Sequence, residues 1–291
     1  MADYKKIIRS SHFTFLVGQE QTPLTIHSAI VQNISEPLYA LINNGFMKES
    51  TNGVAILDDV ETETFIAFCE YAYTGAYVTP DRKESSNNAS TDDQENMKPT
   101  MGPLLDFSAP QLDAESEDTW GFSPATKKSK YRGKGAYYDG TKANSKHKSE
   151  PVQVDVVYPD EALWAQFRSR SFGVKSALRA MDPDIVFHAK LYVFATKYLV
   201  EKLRQQCLKS LHRDLRRFSL NRESASLVLD LLDFTYANTG RYEPGGKSPL
   251  RDLVIHYIAC EARTLGDNER FTEILDSNAE MGSDLVAKLV R

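Results

Sequence analysis

The chain has 291 residues, 41% hydrophobic and 26% charged, which suits one large or two small domains with a sizeable core. Its formal charge of -5 argues against a net basic field that would attract nucleic acid or anionic lipid. The three cysteines, Cys69, Cys207 and Cys260, are odd in number and far apart, which argues against a disulfide-stapled secreted domain. The first residues do not resemble a signal peptide, and no apolar run has the length of a membrane span. We therefore expect a soluble intracellular protein.

The first elements in chain order have the pattern of a β-hairpin. Residues 13–17 begin with apolar and polar residues in alternation and end at Gly18, which is typical of a strand followed by a turn. Residues 23–26 form a second short apolar segment. The two segments are therefore predicted to pair across residues 18–22.

Two helical segments are predicted next. Residues 28–34 have helical composition, and Ser35 is a good N-cap for a second helix that carries Pro37 in its first turn. The apolar residues of this second helix fall on one face: Leu38, Leu41 and Ile42. We expect it to end near Gly45.

A third strand and a long helix complete the N-terminal part. Residues 54–57 are all apolar and predict the strand. The apolar residues that follow recur at the spacing of one helical face: Phe65, Phe68, Cys69, Ala72 and Tyr73. Glu61 and Glu63 lie where the helix has its positive end, and Gly75 is placed to terminate it.

The middle of the chain differs in composition. Residues 81–150 contain three leucines and neither isoleucine nor valine, which is too little apolar surface to offset the entropy of ordering. Residues 81–118 hold ten acids and three bases, whereas residues 127–148 hold eight bases and one acid. We predict a disordered insertion over residues 81–158, acidic first and basic second.

Helices are predicted again after the insertion. Residues 184–211 are rich in apolar residues, and a further helix places five residues on one face: Ala225, Val228, Leu231, Leu232 and Thr235. A last helical pattern runs more loosely through Leu250, Val254, Tyr257, Ile258 and Leu265.

Short motifs on both sides of the insertion carry a family resemblance. Ile26-His27 ends the second strand, and Tyr73-Thr74-Gly75 closes the long helix. Ala195-Thr196-Lys197-Tyr198 joins two helices after the insertion, and Leu203 follows five residues after the tyrosine. With these motifs in this order, the chain resembles a BTB/POZ domain. The resemblance implies an α+β fold with a small sheet flanked by helices, which acts through protein association.

The later part of the chain resembles the filamentous-fungal BTB proteins, in which an insertion splits the domain and helices extend it. Trp164 and Phe167 match a Trp-x-x-Phe helix that often follows the insertion in that group, and residues 251–254 and 284–286 match the helical extension. We therefore divide the chain into five parts: the first part of the BTB domain at 1–80, the insertion at 81–158, a short helical or loop segment at 159–183, the second part of the BTB domain at 184–216, and a helical extension at 217–291.

No motif for catalysis, a metal or a cofactor emerges from the sequence. It contains no G-x-S-x-G, H-E-x-x-H or P-loop motif, so we expect no enzyme. The close cysteine–histidine pairs are Cys207 with His212 and His256 with Cys260, and a structural zinc site needs four ligands. We interpret these residues as ordinary buried side chains, and His27 as a structural, hydrogen-bonded histidine.

The resemblance instead implies protein partners: a second copy of the chain, a cullin scaffold, or both. Cullin-binding BTB domains have an apolar residue, any residue and then Glu in the loop before the third strand. The candidates for this contact are Phe46, Met47, Lys48 and Glu49; the alternative is that Phe46 and Met47 fold back onto the core. The candidates for a dimer interface are Ile7, Ile8, Ile30 and Ile34, which could equally complete the monomer core.

The resulting hypothesis is a non-enzymatic interaction module that self-associates, serves as an adaptor of a cullin-RING ubiquitin ligase, or does both. The alternative is a transcriptional or chromatin regulator that acts through partners. For that role a charged pair found in many BTB domains is missing, because His12 and Ser28 occupy its positions. A basic run between Lys127 and Lys134 leaves nuclear and cytoplasmic residence both open. In the insertion, Trp120-Gly121-Phe122 could dock into a partner's groove, and Ser123-Pro124 beside it could be phosphorylated; chance composition explains both features equally well.

Overall fold

The computed structural model describes residues 4–82 and 159–290. The fold is mixed α+β, as predicted, and the described residues belong to one compact unit. The predicted insertion, apart from its first two residues, lies outside the described residues. Within the described ranges, no helix combines the length and the apolar character that a bilayer crossing requires.

A three-stranded sheet forms one wall of the core. Its strands are β1 (His12–Val17), β2 (Thr22–His27) and β3 (Val54–Leu57), in the order β2-β1-β3. β1 pairs antiparallel with β2 through the predicted hairpin and parallel with β3, which is therefore an edge strand. The alternate residues of β1 that face the core are almost fully buried: Phe13, Phe15 and Val17.

Helices supply the rest of the described structure. They are α1 (Tyr4–Ile8), a 3₁₀ helix (Ile30–Asn33), α2 (Glu36–Asn43), α3 (Lys48–Asn52), α4 (Thr62–Thr74), α5 (Pro159–Arg168), α6 (Ile185–Lys197), α7 (Glu201–Leu215), α8 (Ala225–Asn238), α9 (Pro249–Cys260), α10 (Ala262–Leu265), α11 (Glu269–Ser277) and α12 (Ala279–Leu289). A two-stranded ribbon, β4 (Tyr242–Glu243) and β5 (Gly246–Lys247), lies between α8 and α9.

The core contains aromatic residues from both sides of the insertion. The ring of Phe15 in β1 lies 4.9 Å from that of Phe65 in α4, and Phe68 lies 5.0 Å from Phe194 in α6. Contacts of this kind contribute about 0.5–1.5 kcal/mol each beyond the area that they bury. Residues 4–82 therefore share a core with α6.

A capping residue links the same two parts of the chain. Ser35 is the N-cap of α2, as predicted, and its hydroxyl accepts a hydrogen bond from the backbone N–H of Leu38 at 3.2 Å. The same hydroxyl donates to the carbonyl oxygen of Tyr198, at the end of α6, at 2.6 Å. Ser35 thus fixes the start of α2 against the end of α6.

The chain segments that flank the insertion are paired through their backbones. The N–H of Leu178 donates to the carbonyl of Tyr77 at 3.0 Å, and the N–H of Thr79 donates to the carbonyl of Leu178 at 3.1 Å. Farther along, the N–H of Arg82 donates to the carbonyl of Asp182 at 2.9 Å. The chain therefore leaves and re-enters this part of the fold side by side.

The C-terminal helices pack around α9, whose residues are nearly all buried. α5 lies against α9: Phe167 is fully buried, and the rings of Trp164 and Tyr257 are 5.8 Å apart. Arg251 of α9 is also buried and forms an ion pair with Glu280 of α12 at 2.6 Å. This ion pair gives the buried guanidinium the charged partner that it requires.

Candidate protein-interaction surfaces

The loop between α2 and α3 carries the most exposed aromatic residue of the described chain. Phe46 is 96% exposed and Met47 is 41% exposed. Phe46 therefore does not fold back onto the core. Burying a phenylalanine side chain stabilises a protein by about 1.5–3 kcal/mol, and Phe46 gains little of this within its own chain.

The backbone of this loop is nevertheless held in place. The carbonyl of Met47 accepts hydrogen bonds from the Ser50 hydroxyl at 2.8 Å and from the Thr51 N–H at 3.2 Å. Lys48 is exposed, whereas Glu49 is half-buried in the first turn of α3. The four predicted cullin-contact residues thus lie on a short, hydrogen-bonded structure with its apolar side chains directed to solvent.

The outer face of the sheet adds an apolar feature that the sequence analysis missed. Ile56 of the edge strand β3 is 57% exposed and pairs in register with the half-buried Leu16 of β1. The sequence signal was the absence of polar residues in β3, where a strand with one solvated face normally alternates. Leu16 and Ile56 therefore form a second, small apolar patch on this face of the sheet.

The four candidates for a dimer interface lie in different environments. Ile7 and Ile30 are core residues, 6% and 4% exposed, so they are not available to a second copy in this conformation. Ile34 is half-buried, and Ile8 is 67% exposed. Ile8 is thus the one member of this set with a freely accessible side chain.

The family motif residues have local structural roles. The Tyr73 hydroxyl accepts a hydrogen bond from the backbone N–H of His27 at 3.0 Å and lies 2.8 Å from His27 Nδ1. Gly75 has a φ of +80° at the end of α4, a conformation that favours glycine. The Thr74 hydroxyl donates to the carbonyl of Glu70 at 2.7 Å. The Tyr73 contact joins the end of β2 to the end of α4, and Thr74 and Gly75 terminate α4.

A buried polar network has the hydrogen-bonded order of a catalytic triad, with tyrosine in place of the nucleophilic serine, but no access to solvent. The Tyr77 hydroxyl lies 2.8 Å from His188 Nδ1, and His188 Nε2 lies 3.0 Å from Asp214 Oδ2. Because the carboxylate can only accept, His188 Nε2–H is the donor, which leaves Nδ1 to accept from the Tyr77 hydroxyl. Arg213 donates to both oxygens of Asp214, at 2.8 and 2.9 Å.

The electrostatics of this network agree with a neutral histidine beside an ionised aspartate. Burial lowers the pKa of His188, although the Asp214 carboxylate acts in the opposite direction. Burial raises the pKa of Asp214, but hydrogen bonds from His188 and Arg213 outweigh this effect and bring it to about 2. Since the side chains of His188 and Asp214 are fully buried, no substrate can reach them in this conformation, and their role is structural.

The two histidines of the cysteine–histidine pairs, His212 and His256, use their ring nitrogens in hydrogen bonds. His212 Nε2–H donates to the carbonyl of Phe167 at 2.8 Å, and His256 Nε2–H donates to the carbonyl of Leu163 at 3.2 Å. Arg170 donates to His256 Nδ1 at 2.8 Å. In the part of the chain that the structure covers, no three His, Cys, Asp or Glu residues are grouped to hold a metal ion.

Comparison with known proteins identified no relative: no protein-family model, curated protein or solved structure matches the chain. The sequence motifs in the insertion, at residues 120–124 and 127–134, lie outside the described residues.

Proposed function

We propose that the protein is a non-enzymatic interaction module of the BTB/POZ type. The support is the order of the elements: a hairpin, three short helical segments, an edge strand and a long helix, followed after the insertion by α5, α6 and α7. A second support is that residues of the sequence motifs hold these elements together. Tyr73 bonds to His27 and so links α4 to β2, and Tyr198 bonds to Ser35 and so links the end of α6 to the start of α2.

Within this class, an adaptor role toward a cullin is the function that the exposed residues support best. The observation that carries it is the 96% exposure of Phe46, next to Met47, on a loop whose backbone is fixed by hydrogen bonds. An apolar side chain presented on a preorganised loop binds a partner's groove at little entropic cost. Glu49 lies two residues after Met47, in the first turn of α3, and its carboxylate can fix the register of such a contact.

Calorimetry with the N-terminal domain of a cullin from the source organism tests this proposal. We expect the wild-type protein to bind and the Met47→Ala/Glu49→Ala variant to bind at least tenfold more weakly, because interface energy is concentrated in a few anchors. Met47 is exposed on the loop and Glu49 is only half-buried in the first turn of α3, so the variant should keep the unfolding transition of the wild type.

A matched variant controls for nonspecific loss of apolar and acidic groups. Met181 is 95% exposed and Glu223 is exposed, and both lie outside the loop. The Met181→Ala/Glu223→Ala variant should bind like the wild type. Absence of binding by the wild type, or equal loss in the two double variants, would overturn the cullin proposal.

A further inference from the structure

A cleft beside α7 has an unusual concentration of positive charge. It is formed by the segment that follows α5 and by one side of α7 with the residues just beyond it. We call it the basic cleft, and its lining residues are Arg170, Ser171, Phe172, Ser176, Lys209, His212, Arg213, Arg216 and Arg217. Five of the nine residues are Arg or Lys and none is Asp or Glu, in a chain whose formal charge is -5.

Two of the five cations form ion pairs with acids behind the cleft. Arg170 pairs with Asp252 at 2.7 Å, and Arg213 pairs with the buried Asp214 at 2.8 Å. Asp252 also pairs with Lys288, and Asp214 also pairs with Arg179. We therefore count these two arginines of the cleft only as hydrogen-bond donors and assign its excess charge to the other three cations.

The other three cations have no acid partner among the residues that the structure covers. The ammonium group of Lys209 donates to the carbonyls of Phe172 and Val174, so it is fixed by neutral groups. Arg216 and Arg217 are exposed at the end of α7. The cleft therefore keeps about three uncompensated positive charges.

The helix dipole accounts for only part of this arrangement. The C-terminal end of a helix carries about half a negative charge, which stabilises nearby cations by roughly 0.3–1 kcal/mol each. One of the three uncompensated cations would balance that partial negative charge. The positive charge of the others is available to an external anion.

The shape of the cleft fits a small charged group with an apolar attachment. Its volume is about 430 Å³, within the range of about 300–1,000 Å³ typical of ligand sites. Phe172 contributes a half-buried aromatic ring, and Ser171 and Ser176 contribute hydroxyl groups. The cleft can therefore contact both an anion and the carbon chain that carries it.

The state of His212 agrees with a positive potential in the cleft. Burial lowers the pKa of His212, the hydrogen bond to the Phe167 carbonyl raises it, and the charges of Arg216 and Arg170 lower it further. The imidazole is therefore neutral and does not add to the charge.

We propose that the basic cleft binds a phosphorylated serine or threonine side chain of a partner protein. Guanidinium groups match the oxygens of a phosphoryl group, and clusters of arginine are the usual means by which proteins recognise phosphorylated motifs. A bounded cleft with three uncompensated charges suits one dianion better than a nucleic-acid backbone, which requires an extended basic surface. This site goes beyond the proposed cullin contact and uses none of its residues.

Phosphorus NMR and calorimetry with the pentapeptide Ala-Ala-phosphoserine-Ala-Ala, acetylated and amidated, test the proposal in the absence of any cullin. We expect the phosphorus resonance to broaden or shift on addition of the wild-type protein. The same peptide with Ser or Glu in place of phosphoserine should bind at least tenfold more weakly. The Arg216→Gln/Arg217→Gln variant should lose at least tenfold in affinity. It should unfold within a few degrees of the wild type, because neither side chain has an ion-pair partner among the described residues and only the weak helix-dipole interaction is lost.

Arg222→Gln is the matched control, since Arg222 is exposed and does not line the cleft. It should bind the phosphopeptide like the wild type. The proposal is overturned if the wild type does not bind at millimolar peptide or if the double variant binds equally well. It is also overturned if inorganic phosphate or a ten-residue oligothymidylate binds as tightly as the peptide. None of these results depends on whether a cullin binds.

Discussion

The buried network of Tyr77, His188 and Asp214 joins the segment before the insertion to α6 and α7 by hydrogen bonds. Hydrogen-bonded histidine and aspartate are more familiar in active sites. Tyr77 lies before the insertion, and its hydroxyl contacts a histidine 111 residues later in the chain. A buried imidazole that loses one hydrogen-bond partner bears the full cost of desolvating that nitrogen, about 1–3 kcal/mol. The network therefore fixes which segment of residues 4–82 meets α6 and α7.

The Tyr77→Phe variant tests this role. It removes the hydroxyl that donates to His188 Nδ1 and keeps the ring that fills the core. We expect the free energy of unfolding, measured with urea, to fall by about 1–3 kcal/mol. Tyr39→Phe is the control, because Tyr39 lies at the surface of α2; its unfolding free energy should change by less than about 0.5 kcal/mol. Equal effects of the two substitutions would contradict a structural role for the network.

The backbone pairing between residues 77–82 and residues 178–184 predicts how much the insertion contributes to stability. Because their backbones already bond to each other, the fold does not depend on the intervening residues to bring them together. Replacing residues 86–154 with a Gly/Ser linker should therefore shift the melting temperature by no more than about 3 °C. The measurement is thermal unfolding by circular dichroism.

Two linkers that differ twofold in length serve as the control, since doubling a flexible loop costs only about 0.6 kcal/mol. Both should unfold near the temperature of the full chain. A fall of 10 °C or more with both linkers would mean that the insertion contributes to the stability of the folded unit.

Secondary structure with a local physical cause could be predicted from the sequence. The β1–β2 hairpin, the Ser35 cap and the apolar face of α4 each depend on residues within a few positions of one another, and all three predictions are confirmed. The helix predicted over residues 28–34 is only a short 3₁₀ helix, Ile30–Asn33. Leu265 belongs to the separate helix α10, because α9 already ends at Cys260.

Features assembled from distant residues could not be predicted in this way. The basic cleft combines residues near position 170 with residues near position 215, and its charge is visible only once α7 is placed. Burial of Ile7 and exposure of Ile8 likewise depend on how α1 meets the core, since both residues are equally apolar. Hydrophobicity alone therefore did not separate core residues from surface residues in the four dimer candidates.

Self-association of the protein is testable through Ile8, which lies at the end of α1. We expect the wild type to form a dimer at micromolar concentration and Ile8→Asp to shift it toward the monomer, because a carboxylate at an apolar interface must be desolvated. Multi-angle light scattering across a concentration series measures this change. Val290→Asp is the control, since Val290 is 80% exposed at the other end of the described chain. A wild-type monomer at high micromolar concentration would contradict the prediction.

Segments before and after the insertion form one core, and this affects how the chain folds during its synthesis on the ribosome. Phe15, Phe65 and Phe68 are made well before Phe194, the ring against which two of them pack. The Tyr77–His188 pair is separated by 111 residues, which at about 5–20 residues per second is a delay of roughly 5–20 s. During that interval the nascent sheet and α4 expose their aromatic faces, so we expect Hsp70-type chaperones to engage the emerging chain before α6 arrives.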